Sequence, residues 1–156
     1  MGSRWGRLVA VAALGAAPPA AAQRVTEAGL QATATFSDPA LVVAGATGAI
    51  RLSERGRVAL SLGAGGSDGD FAWRGEAAGH FLLSPRRAHD LAVYGGGGVA
   101  LVGGPVDRGY LVLTLGLEAS PGSRTGWFAE AGVGGGVRLA GGWRWRWFPE
   151  GWGGAD

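Results

Sequence analysis

A chain of 156 residues with no cysteine and no lysine has no disulfide framework, no thiolate metal site, no Walker-type phosphate loop and no Schiff-base lysine. Its two histidines, His80 and His89, exclude a three-histidine zinc centre, and neither a metal site nor a cofactor is expected. The formal charge of +2 does not argue for a nucleic-acid partner: Arg4 and Arg7 belong to a leader-like start, and the rest carries 12 arginines against 12 acids.

The leader is MGSRWGRLVAVAALGAAPPAAAQ. Two arginines are followed by the apolar run Leu8 to Ala17, and Ala20-Ala21-Ala22 precede Gln23. A basic start, a short apolar stretch and a small-residue site are the pattern of a cleavable secretory signal peptide, expected here over 1–22. A membrane-spanning helix needs about 20 apolar residues. Pro18-Pro19 interrupt this run too early for that.

Eight strands are expected next, at about 25–36, 39–53, 57–66, 71–84, 91–103, 110–120, 126–140 and 143–148. The breaks are SDP, ERG, GSDGD, SPRRAHD, GGPVDRG, SPGSRTG and Gly141-Gly142, each rich in the Gly, Pro, Ser and Asp that turns require. Along a strand, side chains alternate faces. In the first two strands Glu27, Gln31, Thr33 and Arg51 oppose Leu30, Phe36, Val42 and Leu52. In the third, Arg57 and Ser61 oppose Val58, Leu60 and Leu62; in the fourth, Arg74, Glu76 and His80 oppose Phe71, Trp73, Phe81 and Leu83. The fifth strand has no charge to check. In the sixth, Thr114 and Glu118 lie opposite Leu111, Leu113, Leu115 and Leu117, and in the seventh Glu130 and Arg138 lie opposite Trp127, Val133, Val137 and Leu139. The last strand, WRWRWF, sets Arg144 and Arg146 against Trp143, Trp145 and Trp147. All ten of these charged residues fall on the face opposite the bulky apolar ones named.

A soluble barrel turns its apolar face inward, and a membrane barrel turns it outward. The polar faces here are mostly Gly, Thr, Ser and Ala, unlike a solvated surface with about 25–35% charged residues. Glycines on these faces, such as Gly96, Gly98, Gly132, Gly134 and Gly136, suit the narrow interior of eight strands. With a periplasmic N-terminus, an aromatic girdle follows: Trp73 and Trp143 near the outer rim, and Phe81, Trp127 and Trp147 near the inner one. The expected fold is all-β, an eight-stranded antiparallel up-and-down transmembrane barrel over 23–148 with a short tail over 149–156.

On this strand count, two-faced pattern and aromatic final strand, the chain resembles the small eight-stranded outer-membrane barrels of Gram-negative bacteria, the OmpA/OmpX-like barrel domains. The resemblance covers about Val25 to Phe148. It implies an outer-membrane location, contact with lipopolysaccharide and phospholipid, and recognition by the barrel-assembly machinery through a terminal aromatic. Phe148 looks like that aromatic, although PEGWGGAD follows it and its parity puts it on the Arg side. Trp147 is the outward alternative. The sequence does not fix an oligomeric state.

The expected inward charges are Glu27, Arg51, Arg57, Arg74, Glu76, Glu118, Glu130, Arg138, Arg144 and Arg146, with His80 beside them. Arg74, Arg138 and Arg144 are expected in the outer half, most acids lower. Buried charges need partners, so a lumen network without an open pore is the leading expectation, in a protein with a structural or surface-contact role and no enzymatic activity. The alternatives are a secreted or periplasmic soluble barrel binding a small apolar ligand and, more remotely, a lipid-modifying enzyme using Ser61 and His80. GGGGVA, from Gly95, loosely matches a dinucleotide fingerprint but lies inside a strand with no helix after it.

Overall fold

A computed structural model describes residues 24–87, 89–105 and 107–150. The signal-peptide segment 1–22 and most of the expected tail lie outside them. The strands are β1 (Thr26–Phe36), β2 (Leu41–Arg51), β3 (Gly56–Ser67), β4 (Asp70–Leu82), β5 (Leu91–Gly103), β6 (Arg108–Ala119), β7 (Thr125–Val133) and β8 (Val137–Trp147). Each pairs antiparallel with its neighbour in sequence, and β8 returns to β1 to close the barrel.

The register fixes the barrel's shape. Stepping across paired residues from Thr26 leads through Ile50, Val58, Gly79, Gly97, Leu113, Val133 and Val137 to Phe36, ten residues further along β1. With strands about 4.8 Å apart and about 3.3 Å of rise per residue, that stagger tilts the strands by about 40°. An 11-residue strand such as β1 then rises about 28 Å along the barrel axis.

One boundary differs from the sequence reading. The β7–β8 turn falls at 134–136, not at Gly141-Gly142. Gly135 and Gly136 hold φ of 83° and 147°, which disfavour any residue with a Cβ, and Gly134 donates its N–H to the Gly136 carbonyl at 3.0 Å. Gly142 remains in β8 for another reason: a Cβ placed there would run into the Leu30 carbonyl on β1 and lie 2.9 Å from the ring of its β7 partner Phe128. The same device recurs. Tyr94 pairs with Gly116 and His80 with Gly96, and at both glycines a Cβ would collide with the partner's ring. These three inward rings each lie over a glycine on the adjoining strand, which is how a bore of eight strands accommodates them.

The earlier turn lengthens β8 at its start and moves its residues toward the end that carries the chain termini. Trp143, expected at the outer rim, pairs with Trp127 in the terminal half, and Arg144 moves with it. At the far end the connections are short, at 37–40, 68–69, 104–107 and 134–136; the longest, 83–90, lies at the terminal end.

The apolar side faces out. Leu60, Leu62, Leu111, Leu113 and Leu115 are all more than 60% exposed. The ten charges expected inside all point inward, with side chains no more than 7% exposed, while Asp70 and Arg108, at the far-end starts of β4 and β6, are exposed. A soluble barrel with an apolar interior has the opposite arrangement. A small apolar cluster does exist inside, where Leu41, Val43 and Ala72 meet Val102 near the far end.

Candidate functional site: a ladder of ion pairs in the lumen

Parity puts the charges inside, and the barrel's small radius puts them within reach of one another. At the terminal end Arg51 Nε lies 2.7 Å from Glu27 Oε1. Arg57 then bridges Glu27 and Glu118, at 3.2 and 3.0 Å. Arg144 links Glu118 to Glu130, at 3.1 and 3.3 Å. Arg138 links Glu130 to Glu76, at 2.8 and 3.1 Å, and Arg74 closes the far end against Glu76 at 3.0 Å. Arg146 joins from the side, 3.2 Å from Glu118. One connected ladder contains all ten charges.

Six arginines face four glutamates, so the ladder carries an excess of two positive charges. Backbone carbonyls and aromatic faces absorb part of it. Arg51 donates to the carbonyls of Pro85 and Pro121, drawing two connecting segments across the terminal mouth. Arg146 donates to those of Ser120 and Ser123. The Arg144 guanidinium lies 3.7 Å from the centre of the Phe128 ring, and that of Arg57 lies 4.6 Å from the Tyr94 ring. Such contacts favour Arg over Lys, whose point charge neither stacks nor forks. The Tyr94 hydroxyl donates to Glu130 at 2.6 Å.

Tyr94 and Phe128 were missed in the sequence reading, which looked for inward charges. Parity alone would have found both, since each occupies the inward position of its strand. His80 lies in the lumen outside the ladder: its ring meets Tyr94 edge-on at 5.2 Å, and neither nitrogen has a hydrogen-bond partner in the protein. Phe148 follows the last residue of β8, with the Arg51 guanidinium 5.9 Å from its ring, while Trp147 faces outward. Trp73 faces outward near the far end, and Phe81, Trp127, Trp143 and Trp147 face outward in the terminal half.

The remaining lumen chemistry is sparse. Ser61 pairs across the sheet with Glu76, whereas His80 pairs with Arg57, four positions away on β3. That is about 13 Å at 3.3 Å per residue, too far for a nucleophile and its base. Two cavities within the ladder measure about 10 Å³ each, room for about one water apiece. No cluster of metal-ligating side chains occurs among the described residues.

An eight-stranded closed barrel, apolar outside and charged inside, is the class that fold and lumen define. Among solved structures the chain is similar to the N-terminal β-barrel domain of Pseudomonas aeruginosa OprF, with 17% identity and a TM-score of 0.65 over 80% of this chain and 98% of that one. It is also similar to Neisserial surface protein A, with 11% identity and a TM-score of 0.53 over 80% of this chain and 97% of that one. No family model and no curated protein matches the sequence. The likeness is one of fold.

Proposed function

We propose that the chain is an integral outer-membrane β-barrel whose lumen is sealed by the ion-pair ladder, with a structural or surface-contact role and neither a pore nor a reaction. One observation carries this: large apolar side chains cover the outside while charge fills the inside. In water such a surface would far exceed the few hundred Å² of contiguous apolar patch that soluble monomers tolerate. In a bilayer it matches lipid, and a strand height of about 28 Å suits an apolar band of about 25 Å with its flanking interfaces. Phe36, Phe71 and Trp73 then form the outer part of an aromatic girdle, with Phe81, Trp127, Trp143, Trp145 and Trp147 toward the inner interface.

The sealing follows from packing. Between the far mouth and the Arg51 clasp, the two cavities within the ladder hold about one water each, and every ion crossing would meet paired guanidiniums and carboxylates. With the termini in the periplasm, the far end faces outside with connections of four residues or fewer. Surface contacts then rest on tight turns and the lipopolysaccharide around them, not on long loops. Trp147, the last outward aromatic of β8, is the residue presented to the assembly machinery.

Fractionation of expressing Gram-negative cells tests the reading. The protein is expected in the outer-membrane fraction, resistant to alkaline extraction and soluble only in detergent. Recovery from the periplasm without detergent would contradict it.

A further inference from the structure

The far mouth of the barrel is not filled like the rest. It holds a cup of about 220 Å³ whose wall draws on β1 to β6 and the β7–β8 turn. Its apolar side is Leu41, Ala72 and Val102, part of the apolar cluster at the far end of the lumen. Arg74 lies on its floor, Tyr110 on its wall, and Arg108 and Asp38 also line it. A cavity that sets aliphatic carbon beside a few charged and hydroxyl groups is the usual design of a small-molecule site.

The electrostatics select the ligand's charge. Arg74 uses Nε and Nη2 on Glu76 and Nη1 on the Gly134 carbonyl, which occupies three of its five N–H groups. With Arg74 itself counted, the ladder it closes carries an excess of two positive charges. Arg108 has no carboxylate partner among the described residues, and Thr35, also in the wall, buries a hydroxyl with no partner in the protein. Asp38 opposes a second negative charge. The volume sets the size: a dry cavity of about 150 Å³ takes a benzene ring, so this cup takes roughly nine non-hydrogen atoms.

We infer that the cup is a binding site for a small organic monoanion, a carboxylate on a compact apolar body. The carboxylate approaches Arg74 and Arg108, and the body packs on Leu41, Ala72 and Val102. The site needs no assumption about membrane orientation or about the sealing of the lumen below it.

Benzoate, with benzamide as its uncharged counterpart, is the probe. Titration of the purified protein in detergent by calorimetry should give saturable benzoate binding with a Kd of about 1 mM or tighter, and benzamide at least about tenfold weaker. R108Q should weaken benzoate by roughly five- to tenfold, leave benzamide unchanged and keep the melting temperature. V102F, which fills the cup, should abolish binding of both. Equal affinity for the two probes, no saturable benzoate binding up to about 20 mM, or an R108Q variant that binds benzoate like the wild type would each overturn the inference.

Discussion

Glu118 is the hub of the ladder, and neutralising it is the severest small perturbation the lumen offers. Its Oε2 accepts from Arg57 at 3.0 Å, Arg144 at 3.1 Å and Arg146 at 3.2 Å, and its side chain is 0% exposed. Glu118→Gln keeps the shape, removes the charge, and raises the ladder's excess from two positive charges to three. Removing one partner from a buried pair costs about 3–5 kcal/mol, and three arginines sharing one carboxylate put this case at the upper end. Glu76 is the internal comparison. It serves only Arg74 and Arg138, Arg138 keeps Glu130, and its side chain is 7% exposed beneath the cup. Glu76→Gln should therefore cost only about 1–3 kcal/mol. Denaturant unfolding in detergent micelles, followed by tryptophan fluorescence, measures both. An E118Q variant as stable as the wild type, or more stable than E76Q, would refute the ladder as a structural element.

Other outcomes follow from the same geometry. Leu113→Arg or Leu115→Arg, on positions 64% and 68% exposed, should cost about 2–4 kcal/mol and impair membrane insertion, with Thr114→Ser nearly silent; equal tolerance in an insertion assay would mean those leucines do not meet lipid. Gly116→Ala should destabilise by about 1–3 kcal/mol because its Cβ meets the Tyr94 ring. Combining it with Tyr94→Ala should recover part of that loss, and strict additivity in the double-mutant cycle would remove the ring-over-glycine account. A short Gly-Ser insertion at 134–136 should be tolerated, while the same insertion between Gly141 and Gly142 should shift the β8 register and abolish folding, checked by heat-modifiable gel mobility.

The two-faced strands were legible in the sequence because alternation survives in any strand that separates lipid from a polar bore. WRWRW is the plainest case: its tryptophans face out and its arginines reach Glu118, Glu130 and, through a 4.0 Å approach, Glu27. The β7–β8 boundary was not legible, because GVGGGVRLAGG contains two glycine clusters with different duties. Gly135 and Gly136 supply positive φ for a turn, whereas Gly142 leaves room for the Leu30 carbonyl and the Phe128 ring on its two neighbouring strands. Only the register distinguishes those duties. The pairings within the ladder were hidden for the same reason: Arg57 reaches Glu118 from 61 positions away because the barrel is narrow, and no local motif encodes that distance. The cup went unread because Leu41, on its apolar side, is a large apolar residue at an inward position of a strand whose other large apolar residues, Val43 apart, face out.

Conductance tests the central claim most directly. On the proposal that the ladder closes the bore from Arg51 to Arg74, purified wild-type protein inserted into a planar lipid bilayer in symmetric salt should leave the membrane silent. Stable single-channel steps, with an anion preference that shifts on neutralising Arg138 or Arg144, would contradict it and turn the same side chains into the lining of a passage.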